Sequence, residues 1–269
     1  MTYVLRWWIA TTVLGLMALP LTYRAFGKLP DRGYAASRTL GMLILVYGIW
    51  IGGSLHVVPY GGRTVVEAVV CLCIVAIALG WRDRHTSVRW VWDSRRYIFC
   101  VEVLFLLVLI ATVYLRAFQP DWYSSERPFE FADLNAVSRT HHFPPEDPWL
   151  SGHVIGYYYF GYLVQDSMAK LTATPSRIAL NLGLSQTASL IAITMFCLVV
   201  NGFVALNGSK TVRSWCTLSV GLFGVGILLV IGNLEGVVEV AAAHNWIPHA
   251  LYMHLEPIPL GMRVDHTGR

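Results

Sequence analysis

Three carboxylates, Glu126, Glu130 and Asp133, lie within one eight-residue stretch of the chain. Pro128 can open a helix, and on that helix Glu130 and Asp133, three residues apart, share a face. Carboxylates so placed suit a general base, or a metal ligand, facing a lipid headgroup. An ordinary hydrated acidic surface is the other reading, and the residues alone leave both open. Asp147 and Trp149 follow in a proline-studded strip, and then the run Tyr157, Tyr158, Tyr159. That run is either an interfacial anchor or one wall of a substrate cleft. The pair His141–His142 is either solvated loop or a ligand for phosphate or metal. His244, His249 and His254 are spaced by five and do not stack on one helical face. No glycine-rich phosphate loop, paired metal-type cysteines or serine elbow is present in the sequence.

The elements that must position these groups are set by composition. The chain of 269 residues is 55% hydrophobic and 13% charged, against roughly 25% charged in a soluble domain. Its mean hydropathy is +0.54. A water-soluble core of this size could not bury so much apolar surface, so lipid must solvate much of it. Spans of about 20 apolar residues are expected at Val4–Leu21, Thr39–Val58, Thr64–Leu79, Tyr97–Phe118, Val154–Leu171, Ile178–Leu206 and Val212–Ile231. The fold class is therefore all-α and polytopic, with about seven transmembrane helices and a short interfacial helix in the large outer loop. Four regions follow: a four-helix membrane region at 1–118, an outer loop at 119–153, a three-helix membrane region at 154–231 and a tail at 232–269. The net charge of +4 is not gathered into a nucleic-acid patch. Cys71, Cys73, Cys100, Cys197 and Cys216 read as small buried apolar residues, with neither a disulfide nor a metal.

Orientation follows from lysine and arginine. Segment 22–38 carries Arg24, Lys28, Arg32 and Arg38, and segment 80–96 carries Arg82, Arg84, Arg89, Arg95 and Arg96. Both are expected in the cytoplasm, which puts the N-terminus and 119–153 outside a multi-pass cell-membrane protein. Lys170 and Arg177 then flank a cytoplasmic turn at Thr172–Ser176, and Lys210 and Arg213 fall outside against the rule. The outer loop holds Asp121, Glu126, Glu130, Asp133, Glu146 and Asp147, six of the sixteen acidic residues. A helix from Pro128 to about Arg139 would bury Phe129, Ala132, Ala136 and Val137 on one stripe and turn its polar face to water.

The string from Glu126 to Leu163 closely resembles the signature of the bacterial and archaeal "YYY" membrane protein family, whose function is unknown. The matching elements are Glu126–Ala132, Leu134–Asn135, Phe143–Trp149 and Tyr157–Gly161, with Pro20–Gly41 and Gly232–Gly236 similar as well. Arg127 stands for the usual lysine, and Phe129–Glu130 for Met-Asp, which keeps the charge and lengthens the reach. That family looks distantly similar to GT-C membrane glycosyltransferases such as the protein O-mannosyltransferases and aminoarabinose transferases.

The resemblance implies transfer of a sugar from a polyprenyl-phosphate donor to an acceptor on the outer face. It implies Glu126, Glu130 and Asp133 as the catalytic carboxylates, with Glu126 or Glu130 as the base and Asp133 orienting or binding a metal, and Arg127, Arg139 and His142 as cations balancing the leaving phosphate. Asp147, Trp149 and Tyr157–Tyr159 would complete substrate binding. A divalent metal cofactor is left open. The expected partners are membrane lipid, that lipid-linked donor and a protein partner, with no nucleic acid. The alternative is a non-catalytic membrane subunit that docks a partner through 119–153.

Overall fold

A computed structural model gives the fold. It describes all residues except 1, 119–126, 208–211, 213, 232–240, 242–243, 245 and 247–269, and the backbone alone for 81–88 and 230–231. Among the described residues the secondary structure is eight helices and one isolated bridge between Glu146 and Val154. The helices are α1 (Thr2–Ala25), α2 (Ser37–Ser54), α3 (Gly62–Asp93), α4 (Arg95–Phe118), α5 (Arg127–Arg139), α6 (Phe160–Thr172), α7 (Ser176–Leu206) and α8 (Trp215–Ile231). The chain is an all-α polytopic membrane protein. α1, α4, α7 and the Gly62–Gly80 part of α3 are long and apolar enough to cross a bilayer, and α2 and α8 are shorter apolar helices.

Burial follows the helical period. In α1 the buried residues are Trp7, Thr11, Leu14, Gly15, Ala18, Thr22 and Tyr23, one stripe at spacings of three and four. The opposite side presents Leu5, Ile9 and Leu16, as expected where lipid replaces water. Small residues set the closest approaches. A Cβ on Gly41 of α2 would lie 2.4 Å from the Leu14 carbonyl oxygen of α1. One on Gly183 of α7 would meet the Gln165 side chain of α6 at 2.6 Å.

Contacts along the helices fix which ends lie together. Arg116, near the end of α4, bonds Asn181 at the start of α7, while Tyr97 at the start of α4 stacks on Phe196. The two helices are therefore antiparallel. Trp7 Nε1 donates to Thr174 Oγ1 at 3.0 Å, which puts the start of α1 where α7 begins. The Tyr60 amide donates to the His141 carbonyl at 2.7 Å, placing the α2–α3 connection there too. One end of the bundle thus carries α5, the strip at 140–159 and α6. At the other end buried Asp31 accepts from Tyr97 Oη (2.9 Å), Cys197 Sγ (3.2 Å) and Asn201 Nδ2 (2.8 Å), all internally satisfied. Nearby, Arg38 is paired with Glu102, which also accepts from Tyr34 Oη at 2.8 Å.

Four expectations are corrected. The fifth expected span is helical only over Phe160–Thr172, thirteen residues, or about 20 Å against the roughly 30 Å of a hydrocarbon core. The turn at Thr172–Ser176 consequently lies at the same end as α5, with Arg6 donating to the Thr172 carbonyl at 3.3 Å. With that crossing lost, the C-terminal end of α7, where Asn201 bonds Asp31, lies at the end of the basic 22–38 segment. The 80–96 segment is helical as far as Asp93, since α3 continues past its apolar part. Finally, the cysteines are free but not uniformly buried: Cys197 is, whereas Cys71 and Cys216 are exposed and Cys73 and Cys100 half-buried.

Candidate functional site

The acidic strip folds through local turns before it packs. Asp147 Oδ1 accepts from the amides of Trp149 (2.8 Å) and Leu150 (3.0 Å), an Asx turn just ahead of Gly152, whose φ is +79°. The return is held by the Asp147 amide on the His153 carbonyl (2.8 Å) and the Ile155 amide on the Pro145 carbonyl (2.9 Å). This loop leans on α5 through Trp149, whose ring lies 4.7 Å from that of Phe129. The base of α5 is set by a buried ion pair on α6. Lys170 Nζ is 2.6 Å from Asp166 Oδ2 and 3.1 Å from both the carbonyl and hydroxyl oxygens of Ser138. Tyr60 donates to the same Asp166 oxygen at 2.6 Å, and its hydroxyl is pushed up by burial and by the Asp166 charge.

These supports leave a cleft of about 370 Å³ lined by Phe129, Glu130, Asp133, Asp147, Trp149, Ile155, Tyr157 and Tyr162. Five residues singled out in the sequence meet here: Glu130, Asp133, Asp147, Trp149 and Tyr157. Asp133 is buried, at 8% exposure. Burial first, and the charge of Asp147 second, push its carboxyl above the usual carboxylate range. The buried face of α5 is Asp133, Leu134, Ala136 and Val137, with Phe129 exposed. The expected stripe is thus rotated: Asp133 leaves the water-facing side and Phe129 joins it.

Other expected residues lie elsewhere. Arg139 lines an adjoining cleft of about 500 Å³ with Thr140, His141, Glu146 and the shared Asp147. His142 stacks on His56 at 4.5 Å, away from the carboxylates. Tyr159 accepts from Trp50 Nε1 at 2.8 Å and stacks on Phe143. Tyr158 is 82% exposed against Tyr157 and does not line the cleft. Arg127 opens α5 and lies within electrostatic reach of Arg116. Glu126 falls outside the described residues. Sequence reasoning missed Phe129 and Tyr162 as walls and the Asp166–Lys170 support, although the four-residue spacing of that pair was a readable signal.

Chemically, the cleft offers carboxylate oxygens to hydroxyl donors and aromatic faces to C–H surfaces, the combination that holds a sugar or another polyol. Among the described residues, no three His, Cys, Asp or Glu side chains come together as a group able to hold a metal ion. A family model described as "Uncharacterized membrane protein (DUF2298)" matches residues 44–253. No curated protein and no solved structure matches the chain.

Proposed function

We propose, from the premise that this chain belongs to the DUF2298 family of uncharacterized membrane proteins, that it transfers a sugar from a polyprenyl-phosphate donor to an acceptor hydroxyl. The observation that carries the reading is the joining of Glu130, Asp133 and Asp147 with four aromatic rings in one cleft at the end of a membrane-spanning bundle. A lipid-linked donor gives the reason for that location: its chain stays in the bilayer while its headgroup reaches the cleft.

In this reading Asp133 is the base. A carboxyl held above its usual range is a stronger proton acceptor at neutral pH than an ordinary aspartate. It takes the proton of the acceptor hydroxyl as that oxygen bonds to the anomeric carbon. The bond from that carbon to the phosphate oxygen breaks, the phosphate leaves with the electron pair, and configuration inverts. Glu130 and Asp147 hold sugar hydroxyls, and Phe129, Trp149, Tyr157 and Tyr162 pack its C–H faces. In this reading the lysine and arginine of 22–38 and 80–96 face the cytoplasm and the cleft opens on the outer side of the cell membrane.

The test is a transfer assay in membranes with a radiolabelled polyprenyl-phosphate sugar. Asp133→Asn is expected to lower the rate about 10²–10⁴-fold. Full activity in Asp133→Asn and Glu130→Gln alike would remove the assignment. A second reading, a non-catalytic subunit, is favoured by the exposed run of Trp149, Leu150, Val154, Tyr157 and Tyr158. It requires a stoichiometric protein that protects this run from modification.

A further inference from the structure

Beside the acidic cleft, α1, α4 and α7 enclose a groove of about 440 Å³ at the same end of the bundle. Its apolar walls include Tyr3, Val4, Val113, Ala117, Ile178 and Leu182, its charged members are Arg116 and Arg177, and among the described residues no carboxylate lines it. Arg116 donates through Nε (3.1 Å) and Nη2 (2.5 Å) to Asn181 Oδ1, which fixes the guanidinium, and its Nη1 has no hydrogen bond among the described residues. The Arg177 guanidinium is exposed and has no hydrogen bond or ion pair among the described residues. α7 begins here with no side-chain cap and no acidic residue in its first turn, so the positive end of its dipole is uncompensated. Arg116 also feels the charge of Glu130, which ties the groove to the acidic cleft.

We infer that this groove binds the phosphate of a phosphate-headed lipid between Arg116 and Arg177, with the hydrocarbon chain lying along α1 and α4. Charge complementarity selects an anion, and position selects a lipid over a soluble one. The groove opens where α4 exposes Tyr114, Leu115 and Phe118 and α1 exposes Leu5. Guanidinium is suited to phosphate because its planar fork donates two parallel hydrogen bonds to the oxygens. The inference rests on the lipid donor of the proposed transfer, and it names where that donor's phosphate sits.

Native mass spectrometry of the full chain in detergent, titrated with polyprenyl phosphate, the corresponding polyprenol, phosphatidylglycerol and inorganic phosphate, tests it. Polyprenyl phosphate is expected to bind at least about tenfold more tightly than polyprenol, the scale of a charge-assisted hydrogen bond. Arg177→Gln should remove about that factor and Arg177→Lys should restore part of it. Because the Arg177 side chain is exposed and makes no hydrogen bond or ion pair among the described residues, its variants are expected to keep the wild-type Tm. Phosphatidylglycerol bound as tightly as polyprenyl phosphate would support the site and make its occupant an ordinary phospholipid. Equal binding of polyprenol and polyprenyl phosphate would overturn the inference. So would unchanged binding in the Arg116→Gln, Arg177→Gln double variant, or inorganic phosphate binding as tightly as the lipid. A wild-type chain that binds lipid phosphate but transfers no sugar would keep this site and discard the transferase reading.

Discussion

Asp133 and Asp147 line one cleft from opposite supports, a helix and an Asx turn, and the charge of Asp147 adds to burial in holding the Asp133 carboxyl above its usual range. The shift has a direct consequence for stability. A carboxyl raised in the folded state binds its proton more tightly there than in the unfolded chain. Ionising it therefore costs stability above the folded-state value, and the cost fades as pH falls through that value. Asp133→Asn removes the cost. Its Tm is expected to exceed that of the wild type near neutrality, with the difference shrinking as pH is lowered toward about 4. Thermal scans across that range check it, and a Tm deficit at neutral pH would contradict it.

The Lys170–Asp166 pair gives the second prediction. Both side chains are largely withdrawn from solvent and share partners on α5 and at Tyr60. Lys170→Met leaves a buried carboxylate with only Tyr60 and its own surroundings, and is expected to cost about 3–5 kcal/mol. The double variant Lys170→Met, Asp166→Leu should recover much of that loss, because no uncompensated charge remains. Thermal unfolding of the single and double variants in one detergent decides it. Equal losses would show that the charge is not the cause.

Much of this fold could be read in advance because lipid imposes a simple rule. A span must be apolar for about 20 residues, and Tyr97–Phe118 and Ile178–Leu206 obey it almost to the residue. Pro128 likewise marked the opening of α5. The rule fails at Val154–Leu171, where irregular chain through Gly156 and the tyrosines delays the helix to Phe160. Hydropathy counts those residues without knowing that Ile155 and Tyr157 line the cleft. Which end α6 reaches depends on the bond between Trp7 and Thr174, far apart in sequence.

The site was legible in composition and not in geometry. Spacing put Glu130 and Asp133 on one helical face, but which side of α5 meets the bundle is fixed by fully buried Leu134 and Val137. Those contacts carry Asp133 inward with them. The family resemblance groups His142 and Tyr159 with the carboxylates. Stacking on His56 and Phe143 takes them elsewhere.

A third prediction concerns the end of α6. Ala173 caps it with φ at +52°, the left-handed region where a Cβ is unfavourable. Its amide bonds the Ala169 carbonyl, so the conformation is held by the cap. Ala173→Gly is expected to stabilise the chain by about 1 kcal/mol. A Tm rise of a few degrees in a thermal scan would show it, and a fall would mean the methyl group packs favourably.

The fourth prediction separates the observed arrangement from the one hydropathy suggests. If α6 crossed the bilayer, Ser151 and Pro175 would lie on opposite sides, with Ser214 on the side of Ser151. With α6 held at the α5 end, Ser151 and Pro175 share a side and Ser214 lies on the other. All three are exposed, so single cysteines there should react without disturbing the fold. In a background with the five native cysteines replaced, an impermeant maleimide added to intact cells is expected to label Ser151→Cys and Pro175→Cys. Ser214→Cys should react only after the membrane is opened. Labelling of Ser214→Cys from outside, with Pro175→Cys protected, would restore the crossing at α6. It would also separate the Arg177 groove from the carboxylates that lie beside it.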